Sequence, residues 1–274
     1  MTVPDTTWAE RLVGHGQAIT LLGLVVLTGL SWVWVIAGAG TGMSTIAMTT
    51  WEFPPPAMDG AVMSWTPAYG FIMLMMWWVM MIAMMVPSAA PMILLYGRVA
   101  RHARNKGQMA EHALPTTIFV LGYLAAWFAF SVVVTAAQWA LEKAGLVHQM
   151  LMWSTNTTLS GFLLVAAGIY QLTPWKTACL EHCRAPAGYL ASHWRDGRWG
   201  AFRMGVTHGA YCLGCCWALM ALLFTGGIMN LVWIAGLAIV VLIEKVIPFG
   251  HQFARALAVL MAGSGLWIML QGIS

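Results

Sequence analysis

Apolar residues run along this chain in seven long stretches, roughly 17–40, 69–95, 116–141, 157–173, 205–225, 231–247 and 255–272. Most approach the ~20 residues that a helix needs to cross the hydrocarbon core of a bilayer. The fourth is the weakest, being short and ending near Pro174. The pattern predicts an all-α fold, a polytopic membrane protein of about seven transmembrane helices. The first sixteen residues are polar and carry Asp5, Glu10 and Arg11. The apolar run behind them is too long for a signal-peptide core and no small-residue cleavage site follows it, so it reads as a retained first span. The predicted organisation is a cytoplasmic N-terminal segment, 1–16, and a single transmembrane helical domain, 17–274.

The connections are as informative as the runs. Residues 41–68 hold Glu52, Pro54, Pro55, Pro56 and Asp59 and read as an ordered or interfacial loop. Residues 97–114 and 174–204 are rich in Arg and Lys. With the N-terminus inside, 12 of the 13 basic residues face the cytoplasm, and Lys143 alone falls outside. Basic residues concentrate on the cytoplasmic side of membrane proteins, so the expected orientation is N-in, C-out. Trp51, Trp65, Tyr69, Tyr96, Trp153, Trp175 and Trp199 stand near span ends, as interfacial aromatic belts do.

Composition removes the main competitor. Of 274 residues, 60% are hydrophobic and 8% charged, against about 25% charged in an average soluble domain. Mean hydropathy is +0.76. A soluble globular surface cannot be built from so few charges. The net charge of +4 orients helices, and no nucleic-acid module accompanies it.

All five cysteines fall in two windows, Cys179-Leu180-Glu181-His182-Cys183 and His208-Gly209-Ala210-Tyr211-Cys212-Leu213-Gly214-Cys215-Cys216. Both sit toward the expected cytoplasmic side, where thiols stay reduced and structural disulfides are rare. At about 100° per residue, His208, Cys212 and Cys215 form one stripe with Cys216 on its flank. A locally helical loop brings Cys179, His182 and Cys183 together. Thiolate and imidazole favour Cu(I), zinc or iron. The competing reading is packing: Cys is a small apolar residue, and Gly205-xxx-Gly209 is a helix-packing pattern.

Residues 73–92 carry eight methionines, of which Met73, Met76, Met80 and Met84 share one face. Thioether sulfur is a soft ligand suited to Cu(I), and Met43, Met48, Met58 and Met63 lie in or near the loop that feeds this span. A weak, exchangeable track through Met76, Met80 and Met84 toward the Cys/His cluster follows. The alternative is Met as flexible filler. Glu244 and Lys245 lie near the inner end of span six. Lys245 is long enough to snorkel, whereas Glu244 needs a partner, for which His208 is a candidate. Its expected role is charge balance or proton exchange. Gln138 and Gln171 are lesser polar positions inside spans.

Three blocks, MMWWVMMIAMMVPSAAP (75–91), YQLTPWKTACLEHCRAP (170–186) and the stretch from HGAYCLGCCWALM to EKVIPFG (208–250), together resemble the bacterial family of predicted metal-binding integral membrane proteins of unknown function. The resemblance covers roughly 70–272. It implies a multi-pass protein of the bacterial inner (plasma) membrane. It also implies metal binding through Cys179, His182, Cys183, His208, Cys212, Cys215 and Cys216, with no established reaction.

The resulting expectation is a soft-metal protein, for Cu(I) first, with zinc or iron fitting the same donors. It would transport, sequester or deliver the ion, with the bilayer and a metal-donating or metal-accepting protein as partners. Two alternatives stay open: a membrane redox enzyme or electron carrier using the same cluster, and a non-catalytic scaffold. The chain has no P-loop, no HExxH and no C-x2-C-H haem-attachment sequence, which disfavours ATP-driven pumping, zinc proteolysis and covalent haem.

Overall fold

The computed structural model describes residues 8–53, 64–105, 115–150 and 152–271, with backbone only for 8–15. Its helices are α1 (Trp8–Ile36), α2 (Pro67–Asn105), α3 (Pro115–Lys143), α4 (Thr157–Gln171), α5 (Pro174–Arg184), α6 (Pro186–His193), α7 (Gly197–Ala221), α8 (Leu223–Gly226), α9 (Leu231–Val246) and α10 (Gly250–Gln271). The only β pairing among the described residues is an isolated bridge between Val147 and Ser154. Met58, Met63, Asp59 and Lys106 lie outside the described residues.

Among the described residues, five stretches are long and apolar enough to cross a membrane: Gly16–Ile36, Pro67–Arg104, Pro115–Lys143, Gly197–Gly226 and Gly250–Gln271. The fourth and sixth apolar runs form α4 and α9, of 15 and 16 residues. At 1.5 Å per residue these are about 22–24 Å long, shorter than the ~30 Å hydrocarbon core. Long stretches of outward-facing side chains are apolar, as at Ile19, Leu22, Leu30 and Val33 of α1 and Val259, Leu260 and Trp267 of α10. Such a surface suits lipid, not water.

Helix ends differ from the sequence expectation where polar residues continue a helix. α2 runs 39 residues, through Arg98, Arg101 and Arg104, because these side chains are good helix formers once the helix leaves the apolar phase. The connection 174–204 is two short helices and the start of α7, not a loop. Thr173 opens α5 by accepting a hydrogen bond from the Lys176 amide at 3.3 Å, with Pro174 in the first turn, where its missing N–H costs nothing. Asn156 and Asn230 cap α4 and α9 in the same way. Of the seven expected belt aromatics, Trp51, Trp175 and Trp199 are exposed. Tyr96 and Trp153 are instead buried at 0% and 4%. Tyr96 stacks on Phe119 and lies against Trp194, so the fold of α6 over the bundle end takes it away from the interface.

Glycines bring the main helices into close contact. A methyl group on Gly205 of α7 would stand 2.0 Å from the Phe119 carbonyl oxygen of α3, and one on Gly122 would stand 2.2 Å from the Phe202 carbonyl oxygen. Gly161, Gly168 and Gly265 do the same between α4 and α10. Gly205-xxx-Gly209 is therefore a packing element, as small residues are in membrane helix pairs. Buried polar links tie α2 to α3: Trp77 Nε1 donates to Gln138 Oε1 at 2.7 Å, and Trp78 Nε1 to the Leu124 carbonyl at 3.1 Å.

The two ends of the bundle are tied separately. At one end Ser154 N donates to Phe224 O, Ile228 N to Met152 O, and Asn230 Nδ2 to Thr50 O, at 2.8–2.9 Å. At the other, Arg184 holds the Ile247 and Pro248 carbonyls at 2.7 and 3.0 Å, and Arg101 holds the Gly16 carbonyl at 3.3 Å.

Gly205→Ala is expected to destabilise the protein by about 1–3 kcal/mol, the usual cost of overpacking. Gly236→Ala, which meets nothing within 4 Å, should be neutral or stabilising. Thermal unfolding in one detergent compares them; equal melting temperatures would show that the α3–α7 contact relaxes freely.

Candidate functional site

The two cysteine windows meet. α5 folds back along α7, with Cys179 Sγ against Gly214, and Cys183 of α5 lies near enough to Cys212 and Cys215 of α7 to influence their thiols. Cys216 lies beside the same two thiols. Cys212, Cys215 and Cys216 are 0%, 2% and 1% exposed. Hydrogen bonding to Cys212 and Cys215, then burial, hold the Cys183 thiol well above its usual range. Burial, and then nearby Cys215, push Cys179 up as well.

Three other helices complete the surroundings. Lys245 Nζ of α9 lies 2.9 Å from Cys212 Sγ and donates to Ser88 Oγ of α2 at 3.0 Å. The Tyr123 hydroxyl of α3 is 3.2 Å from Cys212 Sγ and 3.2 Å from the Met85 carbonyl. Met85 places its thioether 3.8 Å from Cys216 Sγ. A Cys212 thiolate is thus within reach of an ammonium and a phenol hydroxyl. Charge-assisted hydrogen bonds of this kind are roughly twice as strong as neutral ones.

The sulfurs are neighbours without yet surrounding a common point. Cys215 and Cys216 each turn their thiol onto the Cys212 carbonyl oxygen at 3.0 Å. Among the described residues, no three His, Cys, Asp or Glu side chains are arranged to hold a metal ion. Cys179 stands at the edge, its Sγ against Gly214, where a methyl group would meet it at 2.7 Å.

Both histidines lie beside the thiols rather than among them. His182 stacks on Tyr211, with ring centroids 4.1 Å apart, and its Nδ1 is 2.8 Å from the Ala178 carbonyl. His208 is buried at 2% among the rings of Phe119, Tyr123 and Tyr189, and its Nδ1 has no hydrogen-bond partner.

Met73, Met76, Met80 and Met84 are all buried, at 0–2%. The methionine that reaches the thiols is Met85, one position off the expected stripe. Glu244 does not pair with His208. Its Oε2 forms an ion pair with Lys176 Nζ at 2.7 Å and its Oε1 accepts from Gln171 Nε2 at 2.8 Å. Lys245 does not snorkel; it is 8% exposed and turned inward. The reason is shared: each buried charge inside a membrane protein turns to an internal partner where one exists.

Comparison with protein families decides what this centre belongs with. The family described as PpoB2, copper chaperone, matches residues 74–268. The chain belongs to the PpoB2 copper chaperone family. The matched region contains both cysteine windows, most of the methionine-rich α2 and the Lys176–Glu244 pair. Neither the curated proteins nor the solved structures contain a match. The family supports copper among the metals expected from the donor set.

Sequence reasoning missed four groups and the contact made by a fifth, Lys245. Lys176 counts in sequence as an orienting loop charge, yet it is 1% exposed. Tyr123, Ser88 and Lys245 carry no signal of contact with Cys212, since each lies on a different helix. Glu142, at the far end of the bundle, accepts from Trp65 Nε1 and Gln138 Nε2 at 2.7 Å each. Its four-residue spacing from Gln138 was the available clue.

Glu244→Leu should destabilise the protein by about 3 kcal/mol, because it leaves a buried ammonium without its counter-ion. Lys176→Met combined with Glu244→Leu should recover most of that loss. Unfolding of the single and double variants in detergent gives the coupling; additive losses would mean that the two charges are not dependent on each other.

Proposed function

We propose that this chain is a bilayer-embedded copper(I) chaperone that takes the ion into a buried thiol centre and passes it to an acceptor protein. The observation that carries this reading is the meeting of Cys183 with Cys212 and Cys215, Cys216 beside them and the Met85 thioether 3.8 Å from Cys216. Thiolate and thioether together make a soft donor set that suits Cu(I). Membership of a copper chaperone family supports copper as the cargo.

In this reading the thiols of Cys215 and Cys216 rotate about χ1 away from the Cys212 carbonyl, and copper takes the place that the Lys245 ammonium holds against Cys212. Cys179 serves as the entry or exit ligand at the edge. His182 and His208 flank the centre and join it only after a ring movement. Met76, Met80 and Met84 provide weak sites along α2. Glu244, neutralised by Lys176, fixes the end of α9 and so the position of Lys245, which is its charge-balancing role.

The finer topology belongs to the same proposal. The chain crosses a bacterial inner membrane seven times, with residues 1–16 and the α5–α6 segment in the cytoplasm and the C-terminus outside. α4 and α9 cross as short helices, accommodated by local thinning or by the loops packed against their ends.

Cys212→Ser keeps the side-chain size and replaces a soft donor with a hard one. It should lower Cu(I) affinity at least tenfold, while Met80→Leu keeps the centre loaded and at most slows filling. Bound copper per protein and melting temperature, measured on chelator-free protein, distinguish ligation from packing. Unchanged copper in Cys212→Ser, or no copper in the parent protein, would favour a scaffold.

A further inference from the structure

Away from the thiols, α1, α2 and α3 diverge at the arginine-rich end of the bundle and enclose a cavity of about 470 Å³. Its walls are largely apolar, with Gly23, Leu24 and Leu27 of α1 on one side and Thr116 of α3 on the other. Arg101 and Arg104 of α2 stand within it. The volume lies within the range of ligand sites, about 300–1,000 Å³.

Arg101 is held in a slot rather than splayed into solvent. Methyl groups on Gly16 and Gly97 would meet its side chain at 3.2 and 3.4 Å, and Gly97 faces Thr116 Oγ1 at 3.1 Å. One guanidinium nitrogen donates to the Gly16 carbonyl at 3.3 Å. The other two, Nε and Nη2, are buried and have no hydrogen-bond partner. Two parallel unsatisfied donors on a guanidinium match two oxygens of one phosphate. Arg104 adds a second positive charge, and α3 begins here with its partial positive end. Among the described residues, no acidic side chain lines the cavity. Donors for an anionic head therefore sit at the mouth of an apolar trough that is continuous with the lipid-facing side of α1.

We propose that this groove binds one anionic glycerophospholipid, with its phosphodiester on Arg101 and Arg104 and an acyl chain along Gly23, Leu24 and Leu27. Basic pockets between helices at the cytoplasmic side are known to take acidic lipid heads. A free phosphate would satisfy Arg101 but leave the apolar trough open to water. The proposal rests on the bilayer reading of the chain and not on its copper chemistry.

The full-length protein in mild detergent, titrated with phosphatidylglycerol or phosphatidylcholine and measured by native mass spectrometry, tests it. One phosphatidylglycerol should remain bound at about tenfold lower concentration than phosphatidylcholine. Arg101→Gln should remove that preference. Gly23→Leu, which has nothing within 4 Å of its new Cβ and fills the trough without changing charge, should block the lipid. Both variants should remain folded in lipid-free detergent, Gly23→Leu at the parent melting temperature and Arg101→Gln with only the small loss of its Gly16 contact, so that lost binding is not lost folding. Equal retention of the two lipids, undiminished phosphatidylglycerol binding in Gly23→Leu, or displacement of the lipid by millimolar inorganic phosphate would overturn the proposal, the last in favour of a soluble anion.

Discussion

The contact between Lys245 Nζ and Cys212 Sγ, 2.9 Å long and sealed from solvent, organises the rest of the centre. An ammonium at such a place has several kcal/mol of lost hydration to recover. It recovers it from one sulfur and one hydroxyl, Ser88 Oγ. Those partners lie on α7 and α2, so three helices must keep their register for the charge to remain satisfied. Glu244 makes the same demand one residue earlier, through Lys176 and Gln171. Adjacent residues of α9 thus anchor α2 and α7 on one side and α4 and α5 on the other.

This arrangement depends on close helix approach. Gly205 and Gly122 let α7 and α3 meet backbone to backbone, which brings the Tyr123 hydroxyl to Cys212. Gly214 leaves room for the Cys179 sulfur. Stacking of His182 on Tyr211 docks α5 onto the bundle, and the Tyr189 hydroxyl, donating to the Met204 carbonyl at 3.1 Å, docks α6. The sulfurs of a copper chaperone can therefore be concentrated in a small volume while the carbonyl of Cys212 and the Lys245 ammonium occupy their bonding directions. In the role proposed for it, a centre held by hydrogen bonds and one cation suits exchange of an ion, because the outgoing ion leaves an already satisfied state.

Much of this was legible in the sequence. Apolar run length found α3, α4 and α9 to within a few residues, and the apolar parts of α1 and α10, since a hydrocarbon solvent admits little else. Spacing in the second window placed Cys212 and Cys215 together, and the loop window does supply Cys183. The failures share one cause. Met85 beside the thiols, Lys176 in place of His208 as the partner of Glu244, and the inward turn of Lys245 are all contacts between different helices. Helical periodicity fixes which residues share a face, but it does not fix the rotation of one helix against another. Helix ends failed for a related reason: Arg98, Arg101 and Arg104 end an apolar run without ending a helix.

Copper K-edge X-ray absorption on the copper(I)-loaded full-length protein tests the central claim most directly. The account predicts a first shell dominated by sulfur, from two or three of Cys183, Cys212, Cys215 and Cys216, with its amplitude reduced in Cys183→Ser. A shell of nitrogen and oxygen alone, or a sulfur shell indifferent to Cys183, would contradict the joining of the two cysteine windows into one copper centre.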